Sequence, residues 1–173
     1  MFKLQHDLAV VAAALLWLWV TDEPNYRLLR NSLGVSALLA LPMIALFPVA
    51  PPRLTPDAGL IDTIALMGRE HAFANEYAAM PSLHVGWMAA VGLVLGRSIG
   101  GKRGLLLACT FGPLMLLTVI ATGNHFWLDA LAGTAFTVGP ALALGAAGEI
   151  RRQVARTSKR AVAAGSAVAG AAM

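Results

Sequence analysis

The segment YAAMPSLHVGWMAAVGLVLG, residues 77–96, runs for 20 positions without Asp, Glu, Lys or Arg. The hydrocarbon core of a bilayer needs roughly 17–25 mostly apolar residues per helix, so this stretch is long enough to cross a membrane. Its polar side chains, Ser82 and His84, lie near its beginning. The segment therefore predicts a transmembrane helix that places polar groups near one membrane surface.

The composition of the whole chain agrees with a membrane protein. Of the 173 residues, 58% are hydrophobic and 13% are charged, whereas about a quarter of a soluble domain is charged. The length allows a single domain, and the lone Cys109 excludes a disulfide scaffold. The net charge of +4 would suit a nucleic-acid binder, but basic residues in so apolar a chain report membrane topology instead. We expect an integral membrane protein with a bilayer, and no nucleic acid, as its partner.

Charged residues divide the chain into candidate spans. Residues 8–20, 33–50, 77–96, 104–121 and 126–148 are the apolar stretches. The first is short and crosses only if its helix extends back towards Phe2. The fold class predicted is thus all-α, a polytopic transmembrane bundle of about five spans over residues 1–150. Apolar residues at helical spacing in 60–65 predict an interfacial helix in the outer loop, either a passive element or a lid. Residues 151–173, basic and then Ala/Gly-rich, predict a cytoplasmic tail that begins as a surface helix and fades into disorder.

The basic residues predict the orientation of these spans. If the spans alternate, one side of the membrane receives Lys3, Arg53 and Arg69, and the other receives the remaining ten of the thirteen Lys and Arg residues. Because cytoplasmic loops carry the excess of Lys and Arg, the side with ten is cytoplasmic. We expect a plasma-membrane protein with a cytoplasmic C-terminus.

Four ionisable side chains fall at the opposite, outer boundary: Arg53, His84, His125 and Asp129. Ionisable groups at membrane depth are costly and are often functional. His125 and Asp129 are four residues apart, so on a helix the carboxylate can hold one ring nitrogen as N–H and leave the other as a nucleophile. Taken singly, each histidine could equally be a polar anchor, and Arg53 could mark topology. No recognised metal-ligand pattern is present, so no metal or other cofactor is expected.

Two residue types next to these groups suit an anion site. Ser82 and Asn124 are good N-cap residues just before the third and fifth spans. Helix N-termini present unpaired N–H groups and the positive end of a dipole, which together attract phosphate. The outer boundary therefore predicts an anion site with a nucleophile inside it.

These motifs resemble those of a known family. Pro81-Ser82-Leu83-His84 resembles the P-S-x-H motif of the phosphatidic acid phosphatase superfamily, the type-two, metal-independent class. The segment from Gly123 to Asp129 resembles its third motif, which ends in H-x-x-x-D. The segment FPVAPPR, residues 47–53, resembles the first-motif region of the branch related to inositol phosphorylceramide synthases. The similarity covers about residues 33–148.

The resemblance implies a phosphohistidine enzyme. His125 would be the nucleophile, Asp129 would orient it, and His84 would serve as acid and then base. Phosphate would be bound by Arg53 and by the backbone around Ser82 and Leu83. Further candidates for contact with the head group or lid are Asn75, Tyr77 and Asn124.

The chain departs from the family's pattern in two cations. The Lys of the first motif is replaced by Leu46, and the Arg six residues before the histidine of the third motif is replaced by Val119. Fewer cations suit a phosphodiester, with charge about −1, better than a monoester with about −1.5 to −2. We therefore predict a phosphotransferase acting on a phospholipid head group, similar to inositol phosphotransferases. The alternatives are a phosphatase for lipid phosphates or prenyl pyrophosphates, and a non-catalytic lipid-binding protein. The oligomeric state is left open.

Overall fold

The computed structural model describes residues 2–55, 59 and 77–171, with side chains over 8–55, 59 and 77–159. Over these ranges the α-helices are α1 Phe2–Thr21, α2 Glu23–Leu46, α3 Leu83–Ile99, α4 Gly101–Ala121 and α5 Trp127–Ala171. A 3₁₀ turn, Pro52–Leu54, follows α2, and a parallel bridge pairs Val49 with Ala78. The predicted all-α bundle is confirmed. The interfacial helix predicted at 60–65 lies outside the described residues.

The apolar helices make this an integral membrane protein. Among the described residues, three helical segments are long and apolar enough to span a bilayer, namely Glu23–Leu46, Gly101–Ala121 and Trp127–Lys159. Two shorter apolar helices, Leu8–Thr21 and Leu83–Ile99, accompany them. Each predicted span overlaps one of these helices, and α1 does extend back to Phe2.

Helix α2 begins ten residues before the predicted span because its sequence carries a strong start signal. The Asp22 carboxylate accepts a hydrogen bond from the Asn25 N–H at 3.3 Å, and Pro24 occupies the first turn, where its missing N–H costs nothing. The Ser98 hydroxyl at the end of α3 also donates to Asp22, at 2.5 Å. Burial raises the pKa of Asp22, but the hydrogen bonds from Ser98 and Asn25 outweigh it and lower the pKa overall. Asp22 thus ties the start of α2 to the end of α3.

The core joins α1, α2 and α3. Its buried side chains are Val11, Ala14, Leu18, Leu29, Leu33, Ala90, Val91 and Val94. Helices α3 and α4 pack more closely, because Gly96 and Gly104 face each other with no room for a side chain between their backbones. Close packing of this kind drives helix association in lipid, where lipid tails remove the hydrophobic driving force.

Helix α3 begins six residues later than the predicted span. The Val49 N–H donates to the Tyr77 carbonyl at 2.7 Å, and the Ala79 N–H donates to the Val49 carbonyl at 3.1 Å. These bonds hold the segment before Pro81 against the chain that leaves α2, so its backbone groups are not available to a helix.

The backbone of α5 is helical to Ala171, and the predicted disorder of the tail stays a prediction. Ala, Arg and Lys are among the strongest helix formers, which explains the continuation. By internal contacts the chain divides into two compact units, Met1–Ala141 and Leu142–Met173. The first unit contains every described candidate site residue. The predicted division into a bundle and a tail at residue 150 stays a prediction.

The first turns of α3 and α5 approach each other at Gly133. A Cβ atom at Gly133 would overlap the backbone of Ser82, and one at Gly86 would overlap the Gly133 carbonyl. Neither Gly86 nor Gly133 has room for a side chain, and their close approach brings Ser82 and His84 beside the start of α5.

Replacing Gly133 with Ala should therefore destabilise the protein, by about 1–3 kcal/mol, the usual cost of overpacking. Gly139→Ala is the matched control on the same helix, because a Cβ there meets nothing within 4 Å. Unfolding of the two variants by a denaturing detergent would measure the difference. Equal stabilities would contradict the proposed close approach.

Candidate active site

Polar groups from three segments meet at one end of the first unit. The Arg53 N–H, in the turn after α2, donates to the Gly123 carbonyl at 3.0 Å. The Ser82 N–H, just before α3, donates to the Asp129 carbonyl at 2.9 Å. The structure thus brings together the regions of all three predicted motifs.

His125 is nearly buried, with 7% of its surface exposed. Its Nδ1 lies 2.7 Å from the backbone carbonyl oxygen of Ala79. A carbonyl oxygen can only accept, so Nδ1 carries the proton and the neutral ring has its lone pair on Nε2. His125 therefore has the tautomer that a nitrogen nucleophile requires.

The surroundings of His125 keep its ring neutral. Burial, and to a lesser extent the nearby His84 and Arg53, together lower its pKa from 6.5 to about 4, against the opposing effect of the hydrogen bond to Ala79. The rings of His84 and His125 are 5.6 Å apart between centroids and inclined by 51°. At neutral pH the site thus holds the neutral imidazole of His125 beside the imidazole of His84.

Asp129 is fully buried, yet it does not hold His125 as the sequence predicts. Its Oδ2 is 3.7 Å from Nδ1 of His125, too far for a hydrogen bond. The same oxygen accepts the Phe126 N–H at 2.8 Å. His125 also precedes α5, which begins at Trp127, so the two residues are not one turn apart on a helix. The predicted hydrogen bond from His125 to Asp129 is wrong in this structure, because the turn before α5 directs Nδ1 towards Ala79.

Ser82 occupies the N-cap position of α3 without capping it. The predicted N-cap position of Ser82 is confirmed, but its side chain makes no cap hydrogen bond. The Ser82 Oγ is fully buried and has no hydrogen-bond partner within the described part of the chain. Leu83 is the first residue of α3, so its N–H is among those that a helix leaves unpaired. A buried hydroxyl and a helix start are thus both available to an anion.

Asn124 lies between Arg53 and the turn before His125. Its Oδ1 accepts from Nη1 of Arg53 at 3.4 Å, and its Nδ2 donates to the Thr122 hydroxyl at 2.7 Å. Because α5 begins three residues later, at Trp127, the predicted N-cap role of Asn124 is wrong. Its position instead links the guanidinium to the turn that carries the nucleophile candidate.

The two remaining candidates have different outcomes. Tyr77 is half exposed, at 56%, and lies next to the bridge between Val49 and Ala78. Asn75 lies outside the described residues.

Within the described ranges, no group of three or more His, Cys, Asp or Glu side chains could hold a metal ion.

Sequence reasoning missed two positions that shape the candidate site. Ala79 contacts His125 through its backbone carbonyl, for which a sequence gives no side-chain signal. Gly133 makes the close approach to Ser82. Its place four residues after Asp129, on the same helical face, was the available signal.

The chain is similar to one family of known proteins. Residues 6–143 match the family model of the PAP2 superfamily, the phosphatidic acid phosphatase superfamily that the motifs resemble. The match covers most of the chain and includes every described site residue. No curated protein and no solved structure matches the chain.

Proposed function

The chain belongs to the PAP2 superfamily, and we propose that it is a membrane phosphotransferase for phospholipid head groups, working through a phosphohistidine. Membership supports a function of the lipid phosphatase or phosphotransferase type. The choice of an activity like that of inositol phosphotransferases follows from the cation content of the site, whereas the phosphohistidine step rests on one observation. His125 is held as a neutral ring with Nδ1 on Ala79, beside a second imidazole.

In the first step, Nε2 of His125 attacks phosphorus and the bond from phosphorus to the leaving oxygen breaks. His84 gives its proton to that oxygen, which leaves as an alcohol such as diacylglycerol. The equatorial oxygens are stabilised by Arg53, the Ser82 hydroxyl and the N–H groups at the start of α3. The ring then carries the phosphoryl head group on Nε2 and keeps its proton on Nδ1.

In the second step, His84 takes a proton from an acceptor hydroxyl, whose oxygen attacks phosphorus and breaks the bond to His125. An alcohol acceptor gives a new phosphodiester, and water gives hydrolysis. The neutral histidine is restored, so one site performs both steps.

The cation content of the site favours a phosphodiester. Position 46 is an exposed Leu, and position 119 is a Val that is 5% exposed. The carbonyl of Val119 accepts the Asn124 N–H at 2.9 Å, so this position serves the backbone turn. The site keeps the positive charge of Arg53 but lacks the two further cations of the family's pattern. This smaller positive charge suits a phosphate donor with a charge of about −1 better than one with a charge of about −2.

The low pKa of His125 gives a prediction about pH. A nucleophile with a pKa of about 4 loses its lone pair only when the pH falls through that value, not through 6.5. The rate of phosphoenzyme formation should therefore stay high at pH 5.5 and halve near pH 4. Rapid-quench measurement of labelled protein between pH 3.5 and 7 checks this, and a midpoint near 6.5 would contradict it.

The function is tested by incubating the purified chain in detergent with phosphatidylinositol, phosphatidate or prenyl pyrophosphate. We expect new phosphodiester products from phosphatidylinositol when an alcohol acceptor is present, and little free phosphate from the other two. Free phosphate from phosphatidate or prenyl pyrophosphate, without diester turnover, would contradict the proposal and favour the alternative function, a phosphatase for these lipids. Absence of turnover and of phosphoenzyme on every lipid would favour the lipid-binding protein.

The proposed orientation places the active site on the outer face of the plasma membrane and the C-terminus in the cytoplasm. The distribution of Lys and Arg supports it. A cysteine replacing the exposed Tyr77 should react with an impermeant maleimide applied to intact cells, and one replacing Gln153 should not. Cys109→Ser serves as the background for both. The reverse labelling pattern would overturn the orientation.

A further inference from the structure

We propose that residues 150–160, the basic segment of α5, bind the anionic phospholipid head groups of the adjoining leaflet, which is the cytoplasmic one in the proposed orientation. This binding is separate from the reaction proposed at His125. Five of these eleven residues are Arg or Lys, and none is Asp or Glu. Clusters of about four to eight cations directly beside a membrane span attract anionic lipids.

The basic segment begins where the apolar part of α5 ends. That part runs from Trp127 to Gly148 with Asp129 as its only charged residue, and it is long enough to supply the roughly 20 residues that a span needs. The helix continues beyond it, and its side chains are described as far as Lys159. The cations after Gly148 therefore lie at the level of the lipid head groups.

The described cations of the segment share one side of the helix. With 3.6 residues per turn, they lie within an arc of about 140°. All of them are exposed, namely Arg151, Lys159, Arg152 and Arg156. A topology signal requires only a sufficient number of cations on one side of the membrane. Their placement on one side of the helix indicates in addition a surface that this side contacts.

The opposite side of the same helix is apolar. Ile150 and Val154 lie about 160° from the centre of the basic arc, and they are 60% and 64% exposed. The Thr157 hydroxyl beside them donates to the Gln153 carbonyl at 3.1 Å, so its polar group is satisfied within the helix. A helix with a basic and an apolar side is typical of membrane surfaces, because the apolar side enters the head-group boundary. A nucleic acid would use the basic side alone.

The basic side chains point back towards the membrane. Side chains of an α-helix tilt towards its N-terminus, which for the basic segment is the direction of the span. Arg152 follows this rule, because its Nη2 lies 3.9 Å from the position that a Cβ atom on Gly148 would occupy. Its guanidinium thus reaches one turn back, to the end of the apolar stretch and towards the lipid phosphates.

A polarity-sensitive fluorophore on the helix measures this binding. It is attached at Thr157→Cys in the full chain, with Cys109→Ser as background, and the protein is reconstituted in phosphatidylcholine vesicles with or without phosphatidylserine. The emission should shift to the blue with phosphatidylserine, and the shift should disappear at about 1 M salt, where the screening length is about 3 Å. An emission that does not depend on phosphatidylserine would overturn the proposal. So would a shift caused by an RNA oligonucleotide but not by phosphatidylserine, which would assign the surface to nucleic acid.

A charge-removing variant tests the cations. Arg152→Gln with Arg156→Gln removes two charges and keeps good helix formers. The apparent affinity for phosphatidylserine should fall roughly 25-fold, about fivefold for each cation. Lys102→Gln with Arg103→Gln, at the start of α4, removes two exposed cations from the same side of the membrane in the proposed orientation. This control should keep the wild-type affinity, and an equal loss in both variants would overturn the proposal.

An exchange variant tests the arrangement of the cations independently of their number. Val154→Arg with Arg156→Val keeps the composition and the net charge, but it places a cation on the apolar side and a valine on the basic side. The blue shift should be lost in this variant, as it is when the charges are removed. A wild-type shift would mean that the number of cations alone attracts the lipid, and the proposed surface would then be rejected.

Discussion

Replacing His125 with Ala should abolish phosphoenzyme formation and lower turnover by on the order of 10⁴–10⁶-fold, as for the removal of a nucleophile or its base in other covalent enzymes. The reason is that Nε2 of His125 forms the bond to phosphorus, and Ala has no group that can do so. Because phosphohistidine is acid-labile, acidic gels are unsuitable, and the protein that has reacted with a labelled phospholipid donor must be trapped and separated at alkaline pH. The measurement is the labelled fraction of protein together with kcat.

His84→Ala is the matched comparison, because it removes the second imidazole of the same pair. Without its acid and base, both steps should slow by about 10²–10⁴-fold, but the nucleophile is intact. A labelled protein should therefore still form in His84→Ala and never in His125→Ala. Both variants must show the wild-type unfolding midpoint within a few degrees. Turnover that survives in His125→Ala would reject the covalent mechanism.

The membrane fold could be predicted from the sequence because it depends on local properties. Long apolar stretches without charge favour helices in a bilayer, where each backbone polar group has to be satisfied internally, and residues 83–96 of the stretch 77–96 are helical. Boundaries were less predictable, since they depend on contacts between distant segments. The pairing of Val49 with Tyr77 and Ala79 is one example, because it delays the start of α3 by six residues.

The convergence of Arg53, His84 and His125 could be predicted because alternation of the spans sends three helix ends to one surface. The hydrogen-bond partners of these residues could not be predicted. Spacing of four residues indicates contact only if both residues are helical, and His125 precedes α5. The partner of His125 is a backbone carbonyl, which every residue has, so no side-chain pattern identifies it.

The close contact of Gly133 with Ser82 shows a similar limit. A glycine in an apolar helix indicates that another backbone can come near, but not which one. The structure supplies the partner, and with it the reason that the starts of α3 and α5 form one site.

Arg53→Ala should lower kcat/KM by about 10²–10³-fold, the usual loss when one donor to a developing oxyanion is removed. Among the described site residues Arg53 supplies the cation, while the two further cations of the family's pattern are replaced by Leu46 and Val119. Its loss should therefore not be buffered by neighbouring charges. The backbone bond from Arg53 to Gly123 survives the truncation, so the turn that carries His125 should keep its position.

Arg53→Lys separates charge from geometry. Lysine keeps the positive charge but presents a point charge in place of a planar fork, so we expect a loss intermediate between wild type and Arg53→Ala. Arg97→Lys, at the other end of α3, is the control and should leave kcat/KM unchanged. The loss in Arg53→Ala should fall on kcat if the guanidinium acts mainly on the transition state, and on KM if it only binds the donor. A wild-type kcat/KM in Arg53→Ala would mean that the phosphoryl oxygens are held by the start of α3 and the Ser82 hydroxyl alone, and the charge argument for a phosphodiester donor would then fail.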